Sequence, residues 1–206
     1  MWIFNGKKKK IKKDVRVYYC SEKQTEDGTE FRDIINKLNE VFHSTSQQVV
    51  ILCIGSDRST GDSLGPLVGT MLKKSKISFP VYGTLEEPVH ALNIKKILKE
   101  IVQIYQNPFI LGIDACLGDE RQIGYILLKE GPLIPGMALN KSLPSVGDYH
   151  MNAIVNYLDP LSPGQSLNTT RLFVVMRLAE SISKIITDAA LIEGSFTDEK
   201  VIEKNG

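Results

Sequence analysis

Apolar residues fall along this chain in two alternating patterns, short unbroken runs and stripes spaced three and four apart. A short run rich in β-branched residues suits a strand buried on both faces of a sheet, whereas recurrence at i, i+3, i+4 and i+7 marks one face of a helix. The clearest pair is adjacent. Residues 49–54, VVILCI, form a run that ends on Gly55, after which Leu64, Leu67, Val68, Met71 and Leu72 mark a helix face. Pro66 fits only in the first turn of a helix, where its missing N–H would have had no partner, so the helix is predicted to start at Asp62 or Ser63. Asp62 is thereby placed beyond a strand's carboxyl end and beside a helix N-terminus, the crevice where open α/β sheets bind ligands.

The rest of the chain continues the alternation. Residues 15–19 suit a short edge strand and residues 22–29 a polar turn, and Phe31, Ile34, Ile35, Leu38, Val41 and Phe42 then form a helical stripe with Thr29 as its N-cap. Residues 79–84 read as a strand, and Ala91, Ile94, Leu98, Ile101 and Val102 as the helix after it. The apolar run 109–113 is expected to end at Asp114, and the β-prone run 122–128, after a short polar connection, to lie beside it. Residues 132–144 are loop-like. Met151, Ile154, Val155 and Leu158 suggest a helix opened by His150 and stopped by Asp159-Pro160. Residues 162–170 read as a loop, 172–176 as a last buried strand, and 178–191 as a helix with Ile182, Ile185, Ile186 and Ala189 on its apolar face.

Such alternation predicts an α/β fold, a three-layer sandwich with a mostly parallel central sheet of about five or six strands and helices on both faces. Residues 15–192 are expected to form a single domain, after a basic arm over 1–14 and before a polar tail over 193–206. With 206 residues, 42% hydrophobic and 24% charged, the composition is ordinary for one substantial core. A formal net charge of +1 gives no reason to expect nucleic acid or a membrane as partner. The local exception, Lys7 to Lys10 with Lys12 and Lys13, reads as a solvated arm. Residues 1–6 are too short for a signal peptide's apolar core, and no run approaches the ~18 apolar residues of a membrane span. A cytoplasmic location is expected. Cys20, Cys53 and Cys116 are odd in number and lack C-x-x-C spacing, which indicates neither a disulfide framework nor a zinc cage.

Three polar residues fall where an α/β fold gathers its site: Asp62, Asp114 and His150. Two carboxyl groups brought together can share a proton and act as general acid and base in hydrolysis. With the histidine added, the set offers two oxygens and one nitrogen to a divalent ion such as zinc or nickel. Plain structural roles stand beside these: a helix cap for Asp62, a turn cap for Asp114 and a structural histidine at 150. No cofactor is required, and a divalent metal, zinc or nickel, is the one the set could take. Gly61-Asp-Ser-Leu-Gly65 also fits G-x-S-x-G, which would make Ser63 a nucleophile, but that elbow needs its serine directly after a strand. A phosphate loop is set aside, since the stretch lacks the Gly-Lys-Ser/Thr ending. Glu86, Glu87 and His90 follow the 79–84 strand, where either the same crevice or a solvated loop would hold them.

The stretch from Gly55 to Val68 resembles the first motif of the germination protease of spore-forming bacteria, an aspartate before Ser/Ala-Leu-Gly-Pro, and Ile113-Asp-Ala115 resembles its second. Both are similar to motifs of the hydrogenase maturation endopeptidases, and His150 to the third metal-contacting residue of those enzymes. Residues 16–191 are similar throughout to the YyaC-type sporulation proteins, and the resemblance implies a spore protease. The resemblance implies a phosphorylase/hydrolase-like sandwich and a peptidase in which Asp62 and Asp114 are catalytic, with Asp62, Asp114 and His150 as the metal ligands if a metal is used. It implies a protein substrate such as a small acid-soluble spore protein; the rivals are a catalytically silent partner-binding relative and a serine hydrolase on Ser63. Ser56 departs from the asparagine usual in those families, and the chain is much shorter than germination protease.

Overall fold

The computed structural model describes residues 17–21, 28–135 and 143–192; the expected arm over 1–14, the tail over 193–206 and most of the 22–29 turn lie outside them. Its centre is β2 (Val49–Cys53), every residue of which is buried. The unbroken apolar run is explained by neighbours on both sides and helices over both faces. Around it lies a six-stranded sheet in the order β1-β5-β6-β4-β2-β3, with β1 at Val17–Ser21, β3 at Val81–Tyr82, β4 at Phe109–Gly118, β5 at Tyr125–Glu130 and β6 at Tyr149–Tyr157. The pairs β2–β3, β2–β4 and β4–β6 are parallel, whereas β5 runs antiparallel to both β6 and β1. The fold is α/β with a mostly parallel sheet, as the alternation predicts.

Helices α1 (Thr29–Ser44), α2 (Leu64–Lys74) and α5 (Leu172–Leu191) pack on one face against Ile51, Cys53, Leu111, Ile113 and Met151. On the other face α3 (Ile94–Tyr105) covers Val50, Leu52 and Ile110. All six residues of the predicted α1 stripe are buried. The N-cap of α1 is Gly28, with no side-chain hydrogen bond to the cap, and the Thr29 hydroxyl donates to Glu30 instead.

Three expectations are corrected. Residues 149–157 form strand β6, not a helix: Met151, Ala153 and Val155 face the α1 side while Asn152 and Ile154 face the other, so an apolar pattern compatible with a helix is a strand buried on both faces. The 172–176 run is the first turn and a half of α5; Leu172 and Phe173 are exposed, which a buried strand would not leave. The 122–128 run does not lie beside β4, because β6 is inserted between β4 and β5. A further short helix, α4 (Pro163–Asn168), occupies part of the expected 162–170 loop.

Candidate functional site

The strand order creates the site. From β2 the chain passes through α2 on one face to β3, then through α3 on the opposite face to β4 on the other side of β2. Connections that leave a strand toward opposite sides open a crevice at its carboxyl end. Here β2 ends, Ile54 makes one bridge to Val89, and the chain reverses at Gly55. Gly55 has φ 145°, and a Cβ on it would overlap the Asp62 carbonyl oxygen, so only glycine lets residues 56–62 fold back over the strand end. The loop is closed by the Ser56 N–H donating to the Asp62 carbonyl at 3.0 Å and by the Ser63 N–H donating to the Ser59 carbonyl at 3.1 Å. One 3-10 turn, Gly61–Ser63, then leads into α2.

Asp114 arrives from β4, which does not end there. Pairing with β2 stops once the Ile54 N–H donates to the Ile113 carbonyl at 2.8 Å, while pairing with β6 runs on to Gly118. The aspartate is therefore held inside a strand, yet on its β2 side the sheet has already ended. Asp62 and Asp114 line one pocket of about 270 Å³, together with Ile54, Ser59, His90 and Leu167. Asp62 is half-buried, whereas Asp114 is 2% exposed. Burial pushes the Asp114 carboxyl above its ordinary range, against the pull of the Ala115 N–H that donates to it. One pocket thus holds a half-buried carboxyl and a buried one that gives up its proton less readily than an ordinary aspartate, a pairing suited to general acid–base work.

His150 does not line this pocket. It lies within β6 opposite Gly112, while Asp114 stands opposite Asn152. Its Nδ1–H donates to the Gly131 carbonyl at 2.8 Å, and burial, together with the nearby Lys129 charge, holds the ring below the usual histidine range. The segment before it is likewise elsewhere: the Asp148 carboxylate accepts from the Ile110 N–H and the Asp148 N–H donates to the Ile110 carbonyl, both at 2.8 Å, which pins the amino end of β4. Asp148 thus lies at the amino end of β4, away from the carboxyl end where the pocket opens, and the expected gathering of Asp62, Asp114 and His150 is not found. Among the described residues, no three His, Cys, Asp or Glu side chains gather as metal ligands. The donor set of Asp62, Asp114 and His150 does not fit an ion in this geometry.

Ser63 is 6% exposed, its Oγ donates to the Thr60 carbonyl at 2.6 Å, and it is absent from the pocket wall. It closes a turn rather than presenting a nucleophile. Nor do thiols serve: burial pushes Cys116, beside Asp114, up to about 12. His90, left by the sequence between crevice and solvated loop, lines the pocket; Glu87 lines the neighbouring cavity instead. Ser59 and Leu167 were not legible as wall residues. The Ser59 hydroxyl is buried without a hydrogen-bond partner among the described residues, and Leu167 arrives on α4, whose Pro163 at the first turn was the available signal.

Comparison with known proteins places the chain among relatives of uncharacterised function. The family model described as Protein of unknown function (DUF1256) matches residues 22–185. The Uncharacterized protein YyaC of Bacillus subtilis (strain 168) is 45% identical over 142 residues, 68% of this chain and 69% of that protein. Among solved structures, the [NiFe] hydrogenase maturation protease HycI from Thermococcus kodakarensis KOD1 aligns over 73% of this chain and 98% of that chain, with 20% identity and a TM-score of 0.44.

Proposed function

The chain belongs to the family described as Protein of unknown function (DUF1256), as a relative of YyaC, and from the geometry of its paired aspartates we propose that it is a peptidase. The observation that carries this reading is that Asp62 and Asp114, from sequence-distant segments, line the same pocket with unequal burial. Asp62 takes a proton from a water whose oxygen bonds to the scissile carbonyl carbon. As the tetrahedral adduct collapses the C–N bond breaks, and the departing nitrogen takes the proton held on Asp114. The proton on Asp62 then returns to Asp114. No step is routed through a metal.

Following the motif resemblance to germination protease, the substrate is a protein of the spore, with small acid-soluble spore proteins the first to try, and the setting is the cytoplasm of a sporulating cell. Among the described residues no helix is long and apolar enough to cross a membrane.

The deciding experiment incubates purified protein with small acid-soluble spore proteins beside Asp62→Asn and Ser63→Ala variants. Cleavage by wild type and Ser63→Ala but not by Asp62→Asn is the expected outcome. Loss only in Ser63→Ala would establish the serine hydrolase, and intact protein in every tube would leave a partner-binding role.

A further inference from the structure

We propose that His90 is a third substrate-contacting residue of the site, an imidazole that donates from Nε2 to the oxygen of the scissile carbonyl and stabilises the charge that gathers there. The inference rests on the peptidase reading. Its first ground is position. His90 stands in the wall of two cavities, the small one that holds Asp62 and Asp114 and a neighbour of about 620 Å³ lined by β3, Glu87 and Tyr105. A side chain at that junction meets a peptide whose flanking residues fill the larger space while its carbonyl carbon reaches the aspartates.

The second ground is the ring's hydrogen bonding. Nδ1 accepts the Leu92 N–H at 3.3 Å, which leaves Nε2 as the nitrogen that can donate. The third is rigidity. The His90 N–H donates to Asn93 Oδ1 at 2.8 Å, Asn93 Nδ2 donates to the Pro88 carbonyl at 2.9 Å, and the His90 carbonyl accepts from the N–H groups of Asn93 and Ile94 at 3.1 and 3.0 Å. A donor fixed before substrate arrives needs no reorganisation as charge develops, which is the arrangement that stabilises an oxyanion most. The aspartates cannot fill this role while one takes a proton from water and the other delivers one to nitrogen. As the water oxygen bonds to carbon, the carbonyl π pair moves onto oxygen and is held by the Nε2–H; when the pair returns, the C–N bond breaks. His90 gives up no proton, so the balance set out above is unchanged.

The test follows cleavage of a small acid-soluble spore protein by wild type, Asp62→Asn, His90→Ala and His90→Gln. The expected result is a fall in kcat of about 10²–10³-fold for His90→Ala with little change in KM. His90→Gln, whose amide N–H donates from a similar place, should recover part of that loss; it also serves where the alanine variant does not fold. Nitrogen-15 spectra of the ring supply a readout apart from turnover: the free protein should show the Nε2–H form, and binding of the same spore protein to Asp62→Asn should move the Nε2–H resonance. An Nδ1–H ring, a resonance that binding leaves unmoved, or a kcat for His90→Ala within about threefold of wild type overturns the assignment. Cleavage lost in Asp62→Asn and intact in His90→Ala overturns the role of His90 alone. Cleavage that survives Asp62→Asn overturns the paired-aspartate reading, and a wild type that cleaves none of these proteins overturns both.

Discussion

Asp114 is held where its charge works against the fold. Its folded pKa is raised by burial, so the stability linked to this group is present below the ordinary aspartate value and is lost as pH rises through the folded one. Above the ordinary aspartate value the buried carboxyl therefore costs stability, because the unfolded chain ionises it more readily than the folded one. Asp114→Asn should unfold at higher urea than wild type at pH 7, with the gap closing as pH falls toward about 3.9, and should lose cleavage by about 10²–10⁴-fold. A variant that is both less stable and still active would remove the carboxyl from the chemistry. Ser63 makes the opposite contribution. Its hydroxyl bond to Thr60 is internal, so Ser63→Ala should cost about 0.5–1.5 kcal/mol in urea unfolding while cleavage of spore protein proceeds at the wild-type rate.

At the scale of elements, the site depends on how closely α2 lies on β2. A Cβ at Gly65 would overlap the Ile54 carbonyl, so Gly65→Ala must lift the helix from the strand end and carry the 56–62 loop with it. We expect a loss of about 1–3 kcal/mol in urea unfolding and a loss of cleavage larger than the unfolded fraction explains. The outer helices are tied by a polar contact that no periodicity reveals: Asn39, 4% exposed, donates to the carbonyls of Ala189 and Ile192 at 2.9 and 2.8 Å. Removing it in Asn39→Ala should cost about 1–3 kcal/mol, read from the same unfolding curves, without touching kcat. The misread elements share a cause. Residues 149–157 are packed on both faces and residues 172–176 are β-prone but partly exposed, so local pattern and burial disagree in each.

For the whole molecule, the reversal of strand order around β2 matters more than any single motif, because it brings a loop after β2, an interior residue of β4 and the turn before α3 to one pocket. The same topology keeps His150 within β6 and outside that pocket. Elemental analysis of protein prepared without a histidine tag, followed by zinc and nickel titration, should accordingly give no stoichiometric metal. Binding that disappears in His150→Ala would show that the histidine joins the aspartates in solution.

Local forces alone account for the α1 stripe, the buried run of β2, the helix start forced by Pro66, and the placing of an aspartate past a strand end. Each of those features is written within a short local stretch of chain, where steric rules and burial period act directly. The tertiary structure alone decided which aspartate is buried, that β4 continues past Asp114, that β6 separates β4 from β5, and that His90 rather than His150 lines the pocket. Each depends on which strands become neighbours, and the pairing energy of a strand comes from residues far along the chain. A period of two or of 3.6 shows which face is apolar, but it carries no information about the partner that will cover it.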